Sequence, residues 1–217
     1  MRGRGIACAC LLTLLVGCVD SVWAESNYDA LCTEQALVQE DTSAWIEIPE
    51  TEFCLPVMQR LGDDGFYADH GADGTESETG ALYTQSTYNN SDFSDPVTII
   101  YGSSSQEGAP FRNLQEMYSG KFDECGKILL HLPTETLEYE VFAAVPYSSA
   151  HILYYYDFDT ESRFEEFFDG VYSLRKLGMH LDEGRKPVYG NQILILSTGL
   201  RGDRMQRYLV MAKLATD

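Results

Sequence analysis

Near the C-terminus, the stretch NQILILSTGLRGDRMQRYLVMAKL from Asn191 to Leu214 sets Ser197, Thr198 and Gly199 at the exit of one apolar run and Arg207 at the start of the next. A Ser-Thr tip on a loop leaving a buried strand is a common mount for chemistry, because loops on a rigid scaffold carry reactive groups. A hydroxyl becomes a nucleophile only beside a base or an activating lysine. Neither stands near Ser197 or Thr198 in sequence, and Gly199 has no side chain to offer. Arg207 supplies a permanent, planar positive fork suited to a substrate carboxylate or a developing oxyanion. On an acidic protein it can equally cap a surface carboxylate. The four histidines, His70, His131, His151 and His180, read as surface or loop polar residues.

The elements that must position these residues are mostly strands. AWIEIPETEFCLPVMQR alternates at Trp45, Ile46 and Ile48, turns at Pro49 to Thr51, and enters a second strand through Val57. GDDGFYADHGADGTESETG is a loop dense in Gly and Asp, without the acidic spacing or terminal Glu of a calcium-binding EF-hand loop. GALYTQSTYNN and DPVTIIYG read as strands, and APFRNLQEMY places Phe111, Leu114 and Tyr118 on one helical face. GKILLHL and EYEVFAAVPY form a hairpin across PTET. The clearest helix carries Phe164, Phe167, Phe168, Val171 and Leu174 on one stripe, with Ser162 and Glu165 at capping-box spacing. That stripe is core packing and needs no cofactor. Eight or so short strands with inserted helices predict a closed or nearly closed β-barrel.

The chain has 217 residues, 44% of them hydrophobic, enough for one domain with a sizeable core. Its net charge of -19 excludes the phosphate contacts that nucleic-acid binding requires, so no nucleic-acid partner is expected. The start, MRGRGIACACLLTLLVGCVDSVWAES, has a basic region at Arg2 and Arg4 and an apolar run from Ile6 to Val19. That run is shorter than the roughly 20 residues a membrane-spanning helix needs and suits an export signal. Two exits are open: small residues at Val22 to Ala24 for ordinary signal cleavage, or LVGC at Leu15 to Cys18, which resembles a lipobox and would make Cys18 the lipid-carrying residue. Either way the chain is expected to be exported. Residues 1–24 are thus a leader, 25–43 a helical lead-in, and 44–217 the barrel domain. Cys32, Cys54 and Cys125 remain after the leader; no C-x-x-C pair supports a metal site, and the pairing of any disulfide stays open.

The order of these segments resembles the class B sortases, cysteine transpeptidases of bacterial cell surfaces. WIEIPETEFCLPVMQ is similar to that family's opening W-I-x-I-P and P-V-x-Q strand pair, and FYADHGADG to its aromatic loop. SDPVTIIYGSSS resembles the strand that ends in Tyr-Gly-His-Asn. The Phe-rich helix from about Glu161 matches the helix inserted between the sixth and seventh strands, and LILSTGLRGDRMQRYLVMAKL matches the L-S-T-C strand and the arginine strand after it. The resemblance implies a mainly β, sortase-type closed barrel of about eight strands with inserted helices and an N-terminal helix. It implies a cysteine nucleophile at Gly199, a histidine at Ser103 and an arginine at Arg207, of which only the arginine is kept. Loss of a triad nucleophile alone costs on the order of a millionfold in turnover, so transpeptidation by that mechanism is not expected. The leading expectation is a catalytically inactive surface module of sortase type whose groove, with Ser197, Thr198 and Arg207, binds a sorting-signal peptide or a partner sortase. The alternatives are an active transpeptidase with its nucleophile moved to Ser197, Thr198 or a mature cysteine, and a structural envelope lipoprotein with a vestigial groove. No cofactor or metal is expected.

Overall fold

The computed structural model describes residues 40–120 and 126–215. The leader with Cys18, the cysteines Cys32 and Cys125, and the lead-in helix short of residue 40 lie outside the described residues. At the end of the expected lead-in, Thr42 and Ser43 already belong to the first strand.

Among the described residues nine strands form one sheet: β1 (Thr42–Glu47), β2 (Cys54–Met58), β3 (Leu82–Tyr83), β4 (Val97–Tyr101), β5 (Lys127–His131), β6 (Thr136–Ser148), β7 (His180–Leu181), β8 (Ile193–Leu200) and β9 (Asp203–Leu214). Their order is β5-β1-β2-β3-β4-β8-β9-β6-β7, and an additional β5–β6 pairing closes eight of them into a barrel with β7 on its flank. Closure removes the unpaired edges that an open sheet would expose. The fold expectation is met. β2–β3 and β4–β8 are parallel and the remaining pairings antiparallel.

The central strands β4, β8 and much of β9 are buried on both faces, and the two larger hydrophobic clusters lie on opposite sides of the barrel wall. Inside the barrel, Ile46, Val57, Ile100, Leu130, Leu194, Leu196, Tyr208 and Val210 pack together with Phe111 and Tyr118. Outside it, Ile99, Phe142, Ile195, Leu209 and Met211 receive the aromatic stripe of a helix. Among the described residues the α-helices are α1 (Leu114–Gly120), α2 (Ile152–Tyr155) and α3 (Glu161–Tyr172). Phe164, Phe167, Phe168 and Val171 of α3 are all buried against the barrel wall. Each fully buried side chain of this kind is worth about 1.5–3 kcal/mol over exposure, so packing holds α3 more than any cap does.

Three local expectations need correction. GALYTQSTYNN yields only the two-residue β3, because the backbone then turns: Thr84 N–H donates to Met58 carbonyl (2.9 Å) and Tyr88 N–H to Gln85 carbonyl (3.0 Å). Asn89 follows, buried, its amide donating to Val97 carbonyl (2.8 Å) and its carbonyl accepting from Ile99 N–H (3.1 Å), which sets the entry of β4. Second, α3 is not started by Ser162 and Glu165. Its N-cap is Thr160, whose carbonyl takes the N–H groups of Arg163 and Phe164 while its hydroxyl donates to Asp157 carbonyl. Third, His131 is not a surface or loop residue. It is 2% exposed in β5, with Nε2 2.9 Å from Glu47 Oε2 on β1 and Nδ1 3.0 Å from Thr136 Oγ1 on β6. Burial of an imidazole is tolerated because both ring nitrogens find partners.

Candidate functional site

The parallel pair β4–β8 delivers the two strand exits side by side. Tyr101 stands opposite Ser197, and Gly102 N–H extends the ladder to Ser197 carbonyl (3.1 Å). Two residues beyond that pair, the chains present Ser103 and Gly199. β9 lies antiparallel on the other side of β8, with Arg207 opposite Gly199. The sheet therefore brings Ser103, Gly199 and Arg207, widely separated in sequence, onto the walls of one cavity of about 300 Å³.

Ser103 is fixed by its backbone, whose carbonyl accepts from Phe111 N–H at 2.8 Å. Its hydroxyl is 2.9 Å from that of Ser105, and Ser104 donates to Gly199 carbonyl at 2.9 Å, so the two exits are tied together. Gly199 is exposed, and a Cβ built there would meet nothing nearer than Ser104 Oγ at 3.9 Å. Arg207 is half-buried, its guanidinium 5.6 Å from the centre of the Tyr101 ring and its Nη1 3.5 Å from Ser197 Oγ. Tyr101 stacks on Tyr83 at 5.6 Å. Burial pushes both phenols above the ordinary tyrosine range, with the Arg207 charge pulling the other way, so both stay neutral hydrogen-bonding groups.

The two hydroxyls at the strand tip do not share a face. Ser197 lies on the Arg207 side but is 1% exposed; Thr198 is fully buried, points into the barrel with Leu196, and its Oγ1 has no partner among the described residues. The expectation that both line the groove is therefore corrected: neither borders the cavity, because successive strand residues face opposite ways, Thr198 points inward, and Ser197 lies covered beneath Arg207. The groove residues that sequence reasoning did not single out are Ser104, Ser105, Ser149, Gln206, Tyr83 and Tyr101. The run of three serines after Tyr-Gly was the available signal for two of them.

None of the histidines reaches the cavity. His151 caps α2, its Nδ1 accepting from Tyr154 N–H (3.2 Å) and its Nε2 2.7 Å from Gln85 Oε1. His70 stacks on Phe66 beside Asp69, and His180 Nε2 is 3.2 Å from Ser119 carbonyl. Cys54 opens β2, away from the cavity, half-buried. Among the described residues no three His, Cys, Asp or Glu gather as a metal site.

Solved structures share this architecture closely. Sortase B from Clostridium perfringens superposes with a TM-score of 0.70 over 84% of this chain and 100% of that one, at 21% identity. The chain has the sortase B fold. A Staphylococcus aureus sortase B–substrate complex shares the fold with a TM-score of 0.69, 18% identity, and coverage of 88% of this chain and 95% of that one. Sortase B from Listeria monocytogenes gives 0.67 at 23% identity, over 85% and 99%. In sequence, the chain is similar to sortase B of Listeria monocytogenes serovar 1/2a (strain ATCC BAA-679 / EGD-e), 26% identical over 141 residues. That match covers 62% of this chain and 54% of the relative, so the chain spans about half the relative's length. No family model matches the chain.

Proposed function

We propose that this protein is a sortase-like surface module without transpeptidase activity, whose groove holds an extended peptide through Arg207. The observation that carries the reading is Gly199: on a sortase B scaffold it faces an open cavity opposite Arg207, with room for a side chain and none present. A thiolate attacks and an imidazole moves protons in the resembled family's chemistry, and neither glycine nor serine supplies these. The serine hydroxyl does not titrate in the physiological range. The burial of Ser197 and Thr198 favours a binding role over a displaced nucleophile, because a peptide carbonyl must reach the attacking oxygen. Export, with lipidation at Cys18 or ordinary signal cleavage, would put the module at the outer face of the membrane. There a sorting-signal peptide or a partner sortase would meet it.

The test uses purified protein, a fluorogenic threonine-containing sorting peptide, and the Arg207→Ala variant. The expected result is no turnover by either form. Backbone resonances of Ser103, Gly199 and Arg207 in the labelled wild type should shift on peptide addition, and Arg207→Ala should abolish those shifts. Turnover by the wild type that disappears in Arg207→Ala would sink the proposal.

A further inference from the structure

Charge sets the groove apart from the rest of the surface. The protein has 34 Asp and Glu against 15 Lys and Arg, and the cavities around Tyr155, Phe53, Leu132 and Leu200 each carry at least one carboxylate in their walls. The cavity that Gly199 shares with Arg207 carries none, and Asp203 stands on the neighbouring Leu200 cavity that Gly199 also borders. On so acidic a chain, a lining of hydroxyls, amide and guanidinium with no Asp or Glu leaves Arg207 as the one formally charged side chain among those that border this cavity.

Arg207 takes part in no ion pair among the described residues, whereas Arg163, Arg185, Lys186 and Arg201 each meet a carboxylate. Its contact with Ser197 Oγ, at 3.5 Å, sits at the outer limit of a hydrogen bond. A guanidinium has five N–H donors, so most of this one's capacity is open toward the cavity. Asp64, the acid whose field reaches Tyr83 and Tyr101, is held by Ser86 Oγ at 2.9 Å and Thr87 N–H at 3.2 Å.

We propose that the groove captures the free carboxylate end of a peptide, terminating it in the space left at Gly199. The proposal rests on the peptide-holding reading above and adds the chemistry of the ligand. An internal amide carbonyl would accept from Arg207 yet leave its charge unbalanced. A terminal carboxylate balances the charge and accepts two parallel hydrogen bonds from the fork. The hydroxyls of Ser103 and Ser149 stand on the same cavity wall to donate to its remaining lone pairs, the Ser104 proton being engaged by Gly199 carbonyl. A side chain at position 199 would fill the volume this end group needs.

The experiment titrates full-length labelled protein with acetyl-Ala-Thr bearing either a free C-terminal carboxylate or a C-terminal amide. The carboxylate should bind about tenfold tighter or better, since charge-assisted hydrogen bonds are roughly twice as strong as neutral ones. Shifts should centre on Ser103, Gly199 and Arg207, and added salt should narrow the preference. Arg207→Ala should erase the preference and Arg207→Lys retain part of it. Equal affinity of both peptides at the groove overturns this inference and leaves the peptide-holding reading standing. A preference unchanged in Arg207→Ala overturns it too. Binding of neither peptide overturns both.

Discussion

Gly102 and Gly199 sit at the exits of two adjacent parallel strands, on walls of the same cavity, and neither adopts a left-handed backbone. A Cβ at Gly102 would lie 2.5 Å from a Phe111 ring carbon and 2.6 Å from a Leu82 methyl, both side chains buried in the barrel. A Cβ at Gly199 would lie in open space beyond Ser104 Oγ. Gly102 is therefore glycine because the strand must pass Phe111 closely before presenting Ser103. No such demand acts on Gly199. The difference separates a glycine that the packing requires from one on which the packing makes no demand.

The sharpest way to break this contrast is to refill the second position. On the proposed non-catalytic reading, Gly199→Cys combined with Ser103→His should give measurable hydrolysis of a fluorogenic threonyl peptide where the wild type gives none. The gain should span orders of magnitude, since removing a triad nucleophile costs on the order of a millionfold. Alkylation of the introduced thiol by iodoacetamide, read by mass spectrometry, checks that it is accessible. A well-folded double variant with no activity would show that the two exits are not apposed closely enough for proton transfer.

A smaller effect tests the packing half of the comparison. Gly102→Ala should lose about 1–3 kcal/mol, the usual cost of overpacking a filled core. Gly199→Ala should be neutral, or gain up to about 1 kcal/mol because alanine loses less backbone entropy in a strand than glycine. Urea denaturation of the two variants side by side measures both. Equal losses would mean that Gly199 is also under steric demand.

The sequence announced the elements whose signal is local and periodic. The aromatic stripe from Phe164 to Val171 could only be a helix laid on an apolar wall, and the runs Ile193–Leu196 and Tyr208–Ala212 could only be buried strands. Where polar side chains take over backbone partners, the pattern misleads: Asn89 ends what reads as a strand, and Thr160 caps a helix whose start the capping pattern puts at Ser162. His131 reads as a surface residue because its partners, Glu47 and Thr136, come from two other strands. Ser103, Gly199 and Arg207 could be named before the fold was known only through a family resemblance, since their meeting depends on a parallel pairing between residues about a hundred positions apart. The orientation of Thr198 was obscured for a different reason. In a strand buried on both faces, alternation does not reveal which face is the groove.

That second face gives the finest test. Thr198 and Tyr208 stand opposite each other inside the barrel, and neither hydroxyl has a partner among the described residues. Burial pushes the Tyr208 phenol from 10.0 up to about 12. A raised phenol pKa means that folding favours the neutral form. The stabilisation is therefore fully present below pH 10 and is lost as pH rises from 10 toward 12. Tyr208→Phe removes an unpaired hydroxyl from an apolar site, so at neutral pH its stability should change by less than about 1 kcal/mol, in either direction. Above pH 10, the ordinary value for the phenol, its decline should be shallower than that of the wild type, since both forms lose the contributions of the other buried tyrosines and only the wild type loses that of Tyr208. Urea titrations at neutral pH and between pH 10 and 12 measure both effects. A loss well above about 1 kcal/mol at neutral pH would show that Tyr208 is hydrogen-bonded in the barrel, because only a satisfied hydroxyl is so costly to delete. The inner face of β8 would then be held by polar contacts as well as packing, and the emptiness at Gly199 would stand out more sharply against the strand that carries it.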